Sequence, residues 1–142
     1  MAPTTSKTGG CLCGAVKYEI RGPMRSVIYC HCEQCRKTSG HYVAASACAE
    51  RDMEFIESSG LRWYDSSSYA KRGFCGQCGG NLFWRPVNDE RIYVMAGTID
   101  TPTGLQASAH IHTGSASDYQ QISDGLPHYV DGGPEDLDSA GQ

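Results

Sequence analysis

Cys11-Leu12-Cys13, Cys30-His31-Cys32-Glu33-Gln34-Cys35 and Cys75-Gly76-Gln77-Cys78 are the three stretches on which the fold of this sequence depends. They hold seven of the eight cysteines of the 142-residue chain, and only Cys48 stands apart. Two cysteines separated by one residue are poorly placed to form a disulfide with each other, but both thiols can bind one ion. Close thiol groups of this kind are typical of metal binding, and we expect metal to organise the fold.

The first and third stretches together supply four thiols in two chelating pairs that lie far apart in the chain: Cys11, Cys13, Cys75 and Cys78. Zinc takes four thiolates in a tetrahedron, and a closed set of four protein ligands is the pattern of a structural site. We predict a structural zinc that joins the start of the domain to its middle and contributes to folding. The alternative is that one of the two pairs is simply buried.

The second stretch supplies only three thiols, Cys30, Cys32 and Cys35, and this is the pattern of a catalytic zinc with an open fourth position. Arg36 and Lys37 follow at once, and their charge would lower thiol pKa values and attract an anionic substrate. Two other interpretations remain open at this stage. The trio could hold a second structural zinc completed by a distant residue, or it could be a metal-free pair of nucleophilic and resolving thiols. The candidates for the distant ligand are His110, His112 and Cys48.

Composition excludes several classes of protein. The net charge of −4 gives no general attraction for nucleic acid, and no apolar run is long enough to span a membrane. The first ten residues lack the apolar segment of a secretory signal, so we expect a cytoplasmic protein with reduced thiols. A disulfide framework is the alternative for eight cysteines, and their spacing together with the missing signal argues against it.

Short apolar or alternating segments separated by glycine-rich breakers predict a mainly β fold with few short helical turns. The predicted helical turns lie at 33–38 and 117–122. We expect a flexible N-terminus over 1–8, one domain over 9–130 and a disordered acidic tail over 131–142. The predicted strands fall at 16–20, 27–29, 42–47, 53–56, 61–64, 82–84 and 92–95.

The three cysteine stretches and the segments that follow them resemble the signature of the glutathione-dependent formaldehyde-activating enzyme family, which also includes centromere protein V. The likeness runs from about Gly9 to Tyr129. It implies a fold of short strands around zinc that is shared with a small accessory protein of Rab GTPases. It also implies a structural zinc at the quartet and a functional zinc site at the trio. The matching segments are 10–16, 30–37, 74–79, 94–100, 110–111, 114–115 and 122–127.

The activity implied by the resemblance is that of a carbon–sulfur lyase, as in S-(hydroxymethyl)glutathione synthase, which promotes addition of glutathione to formaldehyde. We expect Cys30, Cys32 and Cys35 to be catalytic, and the candidate substrate-binding residues are Arg36, Lys37 and His110. The expected partner is a small molecule, with glutathione as the candidate, and neither nucleic acid nor membrane. A monomer and a homodimer are both compatible with the sequence.

The chain departs from the family pattern at one place. A Lys-Ala-Pro-Trp stretch usually follows the Gly-Ser pair, whereas this sequence has Ala116-Ser117-Asp118-Tyr119. This loss motivates an alternative, a related enzyme of altered chemistry such as an isomerase or lyase in a biosynthetic pathway. A non-enzymatic zinc module that binds another macromolecule is the third possibility.

Overall fold

The computed structural model describes residues 6–134 and 137, and within them the chain forms ten strands, one α-helix and three 3₁₀ turns. The helix, α1, covers Glu33–Ser39, and the 3₁₀ turns cover Glu50–Asp52, Ala96–Thr98 and Thr113–Ser115. The strands are β1 Lys7–Gly10, β2 Lys17–Ile20, β3 Val27–Cys30, β4 Val43–Ala49, β5 Met53–Glu57, β6 Leu61–Ser67, β7 Ala70–Cys75, β8 Asn81–Pro86, β9 Arg91–Met95 and β10 Ala107–Ile111.

The strands form two sheets. A three-stranded sheet has the order β1-β2-β5, and a seven-stranded sheet has the order β10-β3-β4-β9-β8-β7-β6. All pairings between named strands are antiparallel except that of β10 with β3, which is parallel. The parallel pair places the last strand beside the cysteine-bearing end of β3, with Ile111 opposite Cys30.

The main core lies between the two sheets. Tyr18 of β2 is almost fully buried, and its ring meets that of Phe83 of β8 at 5.5 Å between centroids. Phe55 of β5 packs edge-on against the same Phe83 ring at 5.6 Å. Because side chains alternate along a strand, the large sheet turns its other face away from this core. That outer face carries a second small cluster of buried residues, comprising Cys35, Val43, Ala45 and Met95.

The mainly β class is confirmed, and each predicted strand overlaps a strand of the structure. Three strands were not predicted. β1 has the sequence Lys-Thr-Gly-Gly with no apolar alternation, and it forms because Lys7 to Gly10 pair with β2. Charged or small residues break the pattern in β7, and β10 is a short run around His110.

The first predicted helical turn is confirmed as α1, whereas the second, over 117–122, is wrong. That segment is irregular and is tied to the rest of the protein by Tyr119, whose hydroxyl lies 2.9 Å from His41 Nδ1. β1 begins at Lys7, inside the segment 1–8 expected to be flexible, while residues 1–5 lie outside the described part. Of the expected tail 131–142, only residues 131–134 and 137 are described.

No helix in the described residues is long and apolar enough to cross a membrane.

Candidate active site

The four thiols of the predicted structural site come together where the segment between β1 and β2 meets the end of β7. The Sγ atoms of the set lie within 4.8 Å of one another, with Cys11 and Cys13 at 3.7 Å and Cys13 and Cys75 at 3.6 Å. A tetrahedron with zinc–sulfur bonds of about 2.3 Å places its sulfurs about 3.8 Å apart. The quartet therefore fits a zinc ion in both donor chemistry and spacing.

Backbone amides are directed at the sulfurs of the quartet. Val16 N–H donates to Cys11 Sγ at 3.3 Å, and the amides of Gln77 and Cys78 donate to Cys75 Sγ at 3.4 Å each. Hydrogen bonds from the backbone of Cys13 and Gly80 lower the pKa of Cys78 to about 6. Such donors favour thiolates, which is the form that binds zinc.

Gly60 is required where the chain passes the quartet. A Cβ at this position would lie 2.9 Å from Cys75 Sγ and 2.7 Å from the Cβ of Ala15. Gly60 N–H also donates to the Ala15 carbonyl at 3.0 Å, and Gly76 N–H donates back to the Gly60 carbonyl at 2.7 Å. Through these two hydrogen bonds, the turn at Gly60 connects the segment that follows Cys11 and Cys13 with the segment that begins at Cys75.

The three thiols of the second group lie where β3 ends and α1 begins. Cys30 is the last residue of β3, Cys32 is the N-cap of α1, and Cys35 is buried in the first turn of the helix. Cys35 N–H donates to Cys32 Sγ at 3.3 Å, which replaces one of the missing helical hydrogen bonds. The three Sγ atoms lie within 4.8 Å of one another, so the trio can bind one metal ion.

Hydrogen bonds among the three thiols shift the pKa values of Cys30 and Cys32 in opposite directions. The hydrogen bond with Cys32, then that with Cys35, and then burial raise the pKa of Cys30. The hydrogen bonds from Cys30 and Cys35 lower the pKa of Cys32. These contacts favour the thiolate form at Cys32, and the thiolate is the form that binds a metal ion.

The trio opens onto a cavity of about 450 Å³ on the outer face of the seven-stranded sheet. This volume lies in the range of pockets that bind small molecules. The cavity wall carries the three thiols, aromatic rings, aliphatic side chains and two guanidinium groups. Arg25 lines the wall from the segment before β3. The strands of the sheet contribute Ile28, Val43, Ala45, Arg72, Trp84, Tyr93, Met95 and Ile111.

The far side of the cavity is formed by His112 and by the chain after Tyr129. His112 has φ 54° and ψ 37°, a left-handed conformation that is uncommon for a residue other than glycine. Its amide donates to the Asp131 carbonyl at 2.8 Å, which holds the C-terminal segment beside β10. Gly132, Gly133, Pro134 and Leu137 then line the cavity, so part of the segment expected to be a tail borders the trio.

His110 of β10 and His31, which directly follows β3, lie on the opposite side of the sheet from Cys30. Side chains alternate along paired strands, and His31 N–H continues the pairing by donating to the Ile111 carbonyl at 3.0 Å. Both rings are almost fully buried, and His31 Nε2 lies 2.8 Å from His110 Nδ1. His110 Nε2 lies 2.7 Å from Asp124 Oδ2, and this hydrogen bond lowers the pKa of Asp124. Burial, and then the proximity of His110, lower the pKa of His31.

Both ring nitrogens of His110 therefore have partners. Although the ligand atoms of His110, Asp124 and His128 lie within 4.8 Å of one another, the short contact to Asp124 is a hydrogen-bond distance. His110 supports the sheet behind the thiols and is not among the described residues that line the cavity.

The other predicted substrate contacts also point away from the cavity. Arg36 Nε donates to the Ser115 carbonyl at 2.9 Å, and Lys37 Nζ lies 3.5 Å from Glu33 Oε1 on the exposed face of α1. Neither is among the described wall residues. Cys48 lies in the main core, where burial raises its pKa to about 12, and it belongs to neither thiol group. The assignment of Arg36, Lys37 and His110 to substrate stays a prediction.

Sequence reasoning did not identify the residues that complete the cavity, notably Arg72, Trp84 and Tyr93. Arg72 faces Trp84, and Trp84 faces Tyr93, across neighbouring strands, so the three share one face of the sheet. One signal was available, since Arg72 is a charged residue that stands directly before the Gly73-Phe74-Cys75 run of the first site. Its burial could not be foreseen because β7 was not predicted.

Comparisons with known proteins agree with this geometry. Residues 6–115 match the sequence profile of the family described as glutathione-dependent formaldehyde-activating enzyme. A Schizosaccharomyces pombe protein named as an uncharacterized lyase is 36% identical over 87 residues, which cover 60% of this chain and 61% of that protein. The chain thus spans about three fifths of that relative's length. A crystal structure of a Rhodobacter sphaeroides protein superimposes with a TM-score of 0.56 at 24% identity, over 71% of this chain and 99% of that one, which shows a shared fold.

Proposed function

The chain belongs to the glutathione-dependent formaldehyde-activating enzyme family, and on this premise we propose that it is a zinc-dependent carbon–sulfur lyase or synthase. In the synthetic direction it adds a thiol, with glutathione as the candidate, to formaldehyde or another small aldehyde. The name of the yeast relative as a lyase supports the reaction class. The observation that carries the proposal is the opening of three clustered thiols onto a cavity of small-molecule size.

The proposed reaction is the addition of a thiol to a carbonyl group. The substrate thiol loses its proton, and its sulfur forms a bond to the carbonyl carbon. The π electrons of the carbonyl move to oxygen, which takes up a proton and becomes the hydroxyl of the adduct. The reverse reaction breaks the same carbon–sulfur bond. No oxidant or reductant is consumed in either direction.

Cys30, Cys32 and Cys35 are the residues that would hold the second zinc, which supplies Lewis-acid chemistry at an open position when bound. Trp84 and Met95 form an apolar wall beside the thiols and limit access of water. His112 is the imidazole of the cavity, and we assign it the transfer of the proton between the thiol and the carbonyl oxygen. Holding both reactants in one cavity offsets the entropy cost of a bimolecular step.

The quartet has a different role in the proposal. It is closed by four protein sulfurs and therefore leaves no position for substrate. We assign it a structural zinc that connects the loops before β2 and after β7. None of the eight cysteines forms a disulfide, which suits a reducing compartment such as the cytoplasm. The partner is a small molecule and neither nucleic acid nor membrane, and the active unit is a monomer or a homodimer.

The departure from the family pattern at 116–119 bears on the alternative of altered chemistry. Tyr119 is 67% exposed, and it contacts His41 through its hydroxyl and by ring stacking at 5.6 Å. Residues 116–119 are not among the described residues of the cavity wall. The changed run therefore leaves that wall as described, which favours the reaction given above over altered chemistry.

The test is exchange NMR between free glutathione and S-hydroxymethylglutathione in the presence of formaldehyde. We expect the wild-type protein to accelerate exchange over buffer and Cys32→Ser to lose that acceleration. Cys48→Ala is the matched control, because Cys48 belongs to neither thiol group and is not among the described residues of the cavity wall. Wild-type protein with two zinc ions per chain that gives no acceleration would refute the proposal and leave altered chemistry or a binding module.

A further inference from the structure

Arg72 is a buried cation in the wall of the thiol cavity. It lies in the middle of β7 opposite Trp84 of β8, and it is 4% exposed. A guanidinium in such a place is costly unless its donors are engaged and its charge is balanced. The contacts of Arg72 therefore indicate which kind of ligand the cavity can bind.

The contacts of Arg72 fix its position, and its partner outside the thiol trio carries no charge. Nη2 and Nε lie 2.9 Å and 3.3 Å from Gln34 Oε1, an amide oxygen without charge. The amide nitrogen of Gln34 in turn donates to the Ser66 carbonyl at 2.8 Å, which fixes the orientation of the amide. Among residues 6–134 and 137, no carboxylate lies within 4.0 Å of the Arg72 guanidinium.

Arg72 is also next to the reactive sulfurs. Its Nη2 lies 3.8 Å from Cys35 Sγ. The hydrogen bonds to Gln34 and Cys35 use Nε and Nη2, so Nη1 is the nitrogen that remains for a ligand in the cavity. The other guanidinium of the wall, that of Arg25, is held in place by the Ala45 carbonyl at 2.6 Å and by the Tyr93 ring at 5.2 Å.

We propose that Arg72 is the specificity-determining residue of this cavity and that it binds a carboxylate of the thiol substrate. The inference rests on the proposed function, since it takes the cavity as the site where a thiol reacts. A guanidinium N–H that donates to a carboxylate forms a charge-assisted hydrogen bond, which is stronger than a hydrogen bond between neutral groups. A thiol whose sulfur reaches the trio brings a carboxylate a few bonds away to Arg72.

The net charge of the chain gives no other reason for an anion to bind. With a net charge of −4, the protein does not attract anions in general. An anionic thiol therefore gains from this cavity only through local cations. A purely structural Arg72, which merely joins β7 to α1 through Gln34, would change stability when replaced but would leave the preference for charged ligands unaltered.

The experiment measures binding of two unreactive thioethers, S-methylglutathione and its dimethyl ester, by isothermal titration calorimetry. The zinc-loaded wild-type protein should bind the acid about 10- to 100-fold more tightly than the ester, as expected for a hydrogen bond to a charged group. Arg72→Gln should bind both with nearly equal affinity. Arg85→Gln is the matched control, because Arg85 lies on the neighbouring strand, is 45% exposed and pairs with Glu50 at 2.5 Å.

Two further variants keep the test valid if Arg72→Gln does not fold. Arg72→Lys retains the charge without the planar guanidinium, and Gln34→Ala releases the guanidinium from its amide partner on the exposed side of α1. Each should reduce the preference for the acid several-fold. An unchanged preference in these variants, an equal loss in Arg85→Gln, or no preference in the wild type would overturn the inference.

Failure of this inference is distinguishable from failure of the proposed function. Binding of a thioether needs no turnover, so a preference for the acid that depends on Arg72 would stand even if exchange NMR showed no catalysis. Conversely, catalysis that depends on Cys32, together with equal binding of acid and ester, would keep the lyase and exclude Arg72 as its specificity residue.

Discussion

Replacing Cys75 by serine should damage the fold far more than replacing Cys32 by serine. Cys75 is fully buried, and its sulfur meets that of Cys13 across a separation of 62 residues. A cross-link that closes a loop of this length removes about 4 kcal/mol of chain entropy from the unfolded state. Loss of the quartet's metal should therefore lower the melting temperature by about 8–16 °C for a chain of this size.

Cys32 belongs to a loop of a different kind. Cys30 and Cys35 are only five positions apart in the sequence, and closing so short a loop contributes about 2 kcal/mol less by the same logarithmic dependence. Cys32 also caps α1 by accepting from Cys35 N–H, and serine is itself a strong N-cap. Cys32→Ser should consequently melt within about 8 °C of the wild type while losing all turnover.

The assay combines thermal unfolding by circular dichroism with zinc per chain by elemental analysis. We expect two zinc ions in the wild type, loss of one in Cys32→Ser, and loss of the quartet's ion in Cys75→Ser together with the large drop in melting temperature. If Cys32→Ser melts as low as Cys75→Ser, the trio is a second structural site, and the distinction between the two thiol groups is wrong.

Two other predictions test the surroundings of the sites. Gly60→Ala should destabilise the protein by about 1–3 kcal/mol in urea unfolding, because the added Cβ would lie 2.9 Å from Cys75 Sγ. The control is Gly97→Ala, which has open space around the added Cβ and should change the unfolding free energy by less than about 1 kcal/mol. Equal effects of the two substitutions would contradict this prediction. Asp124→Asn removes a carboxylate that is hydrogen-bonded to His110, and this bond lowers the pKa of Asp124 below its usual value of 3.8. The stabilisation that the carboxylate contributes is therefore complete above pH 3.8. It is lost as the pH falls through the lowered pKa of the folded protein. The gap in unfolding free energy between wild type and this variant should close under acid, and a gap that is constant from about pH 7 to pH 3 would contradict the assignment.

The two thiol groups could be predicted because their geometry is largely local. Cys11 and Cys13, or Cys75 and Cys78, are held within reach of one ion by one or two intervening residues, whatever the rest of the chain does. The same holds for the trio, where Cys32 starts the helix that carries Cys35. Alternating apolar residues predicted most of the strands for a similar reason, since the period of a strand is a property of the backbone.

The cavity could not be predicted in this way. Arg72, Trp84 and Tyr93 belong to three strands whose side chains meet only because the antiparallel register aligns them on one face. A shift of one residue in that register would turn each of these side chains to the opposite face. The expected cations Arg36 and Lys37 stand beside the trio in sequence, yet the helix directs them elsewhere, towards Ser115 and Glu33.

The spacing of the cysteines along the chain therefore determined which sulfur atoms can bind one metal ion, because residues that are close in sequence stay close in space. What surrounds the reacting sulfurs was decided only by the tertiary structure. Strand pairing brings Arg72 to within 3.8 Å of Cys35 across 37 positions, and the parallel pairing of β10 with β3 brings His112 to the cavity. Contacts of such separation depend on the register of the whole sheet, which no short stretch of residues contains.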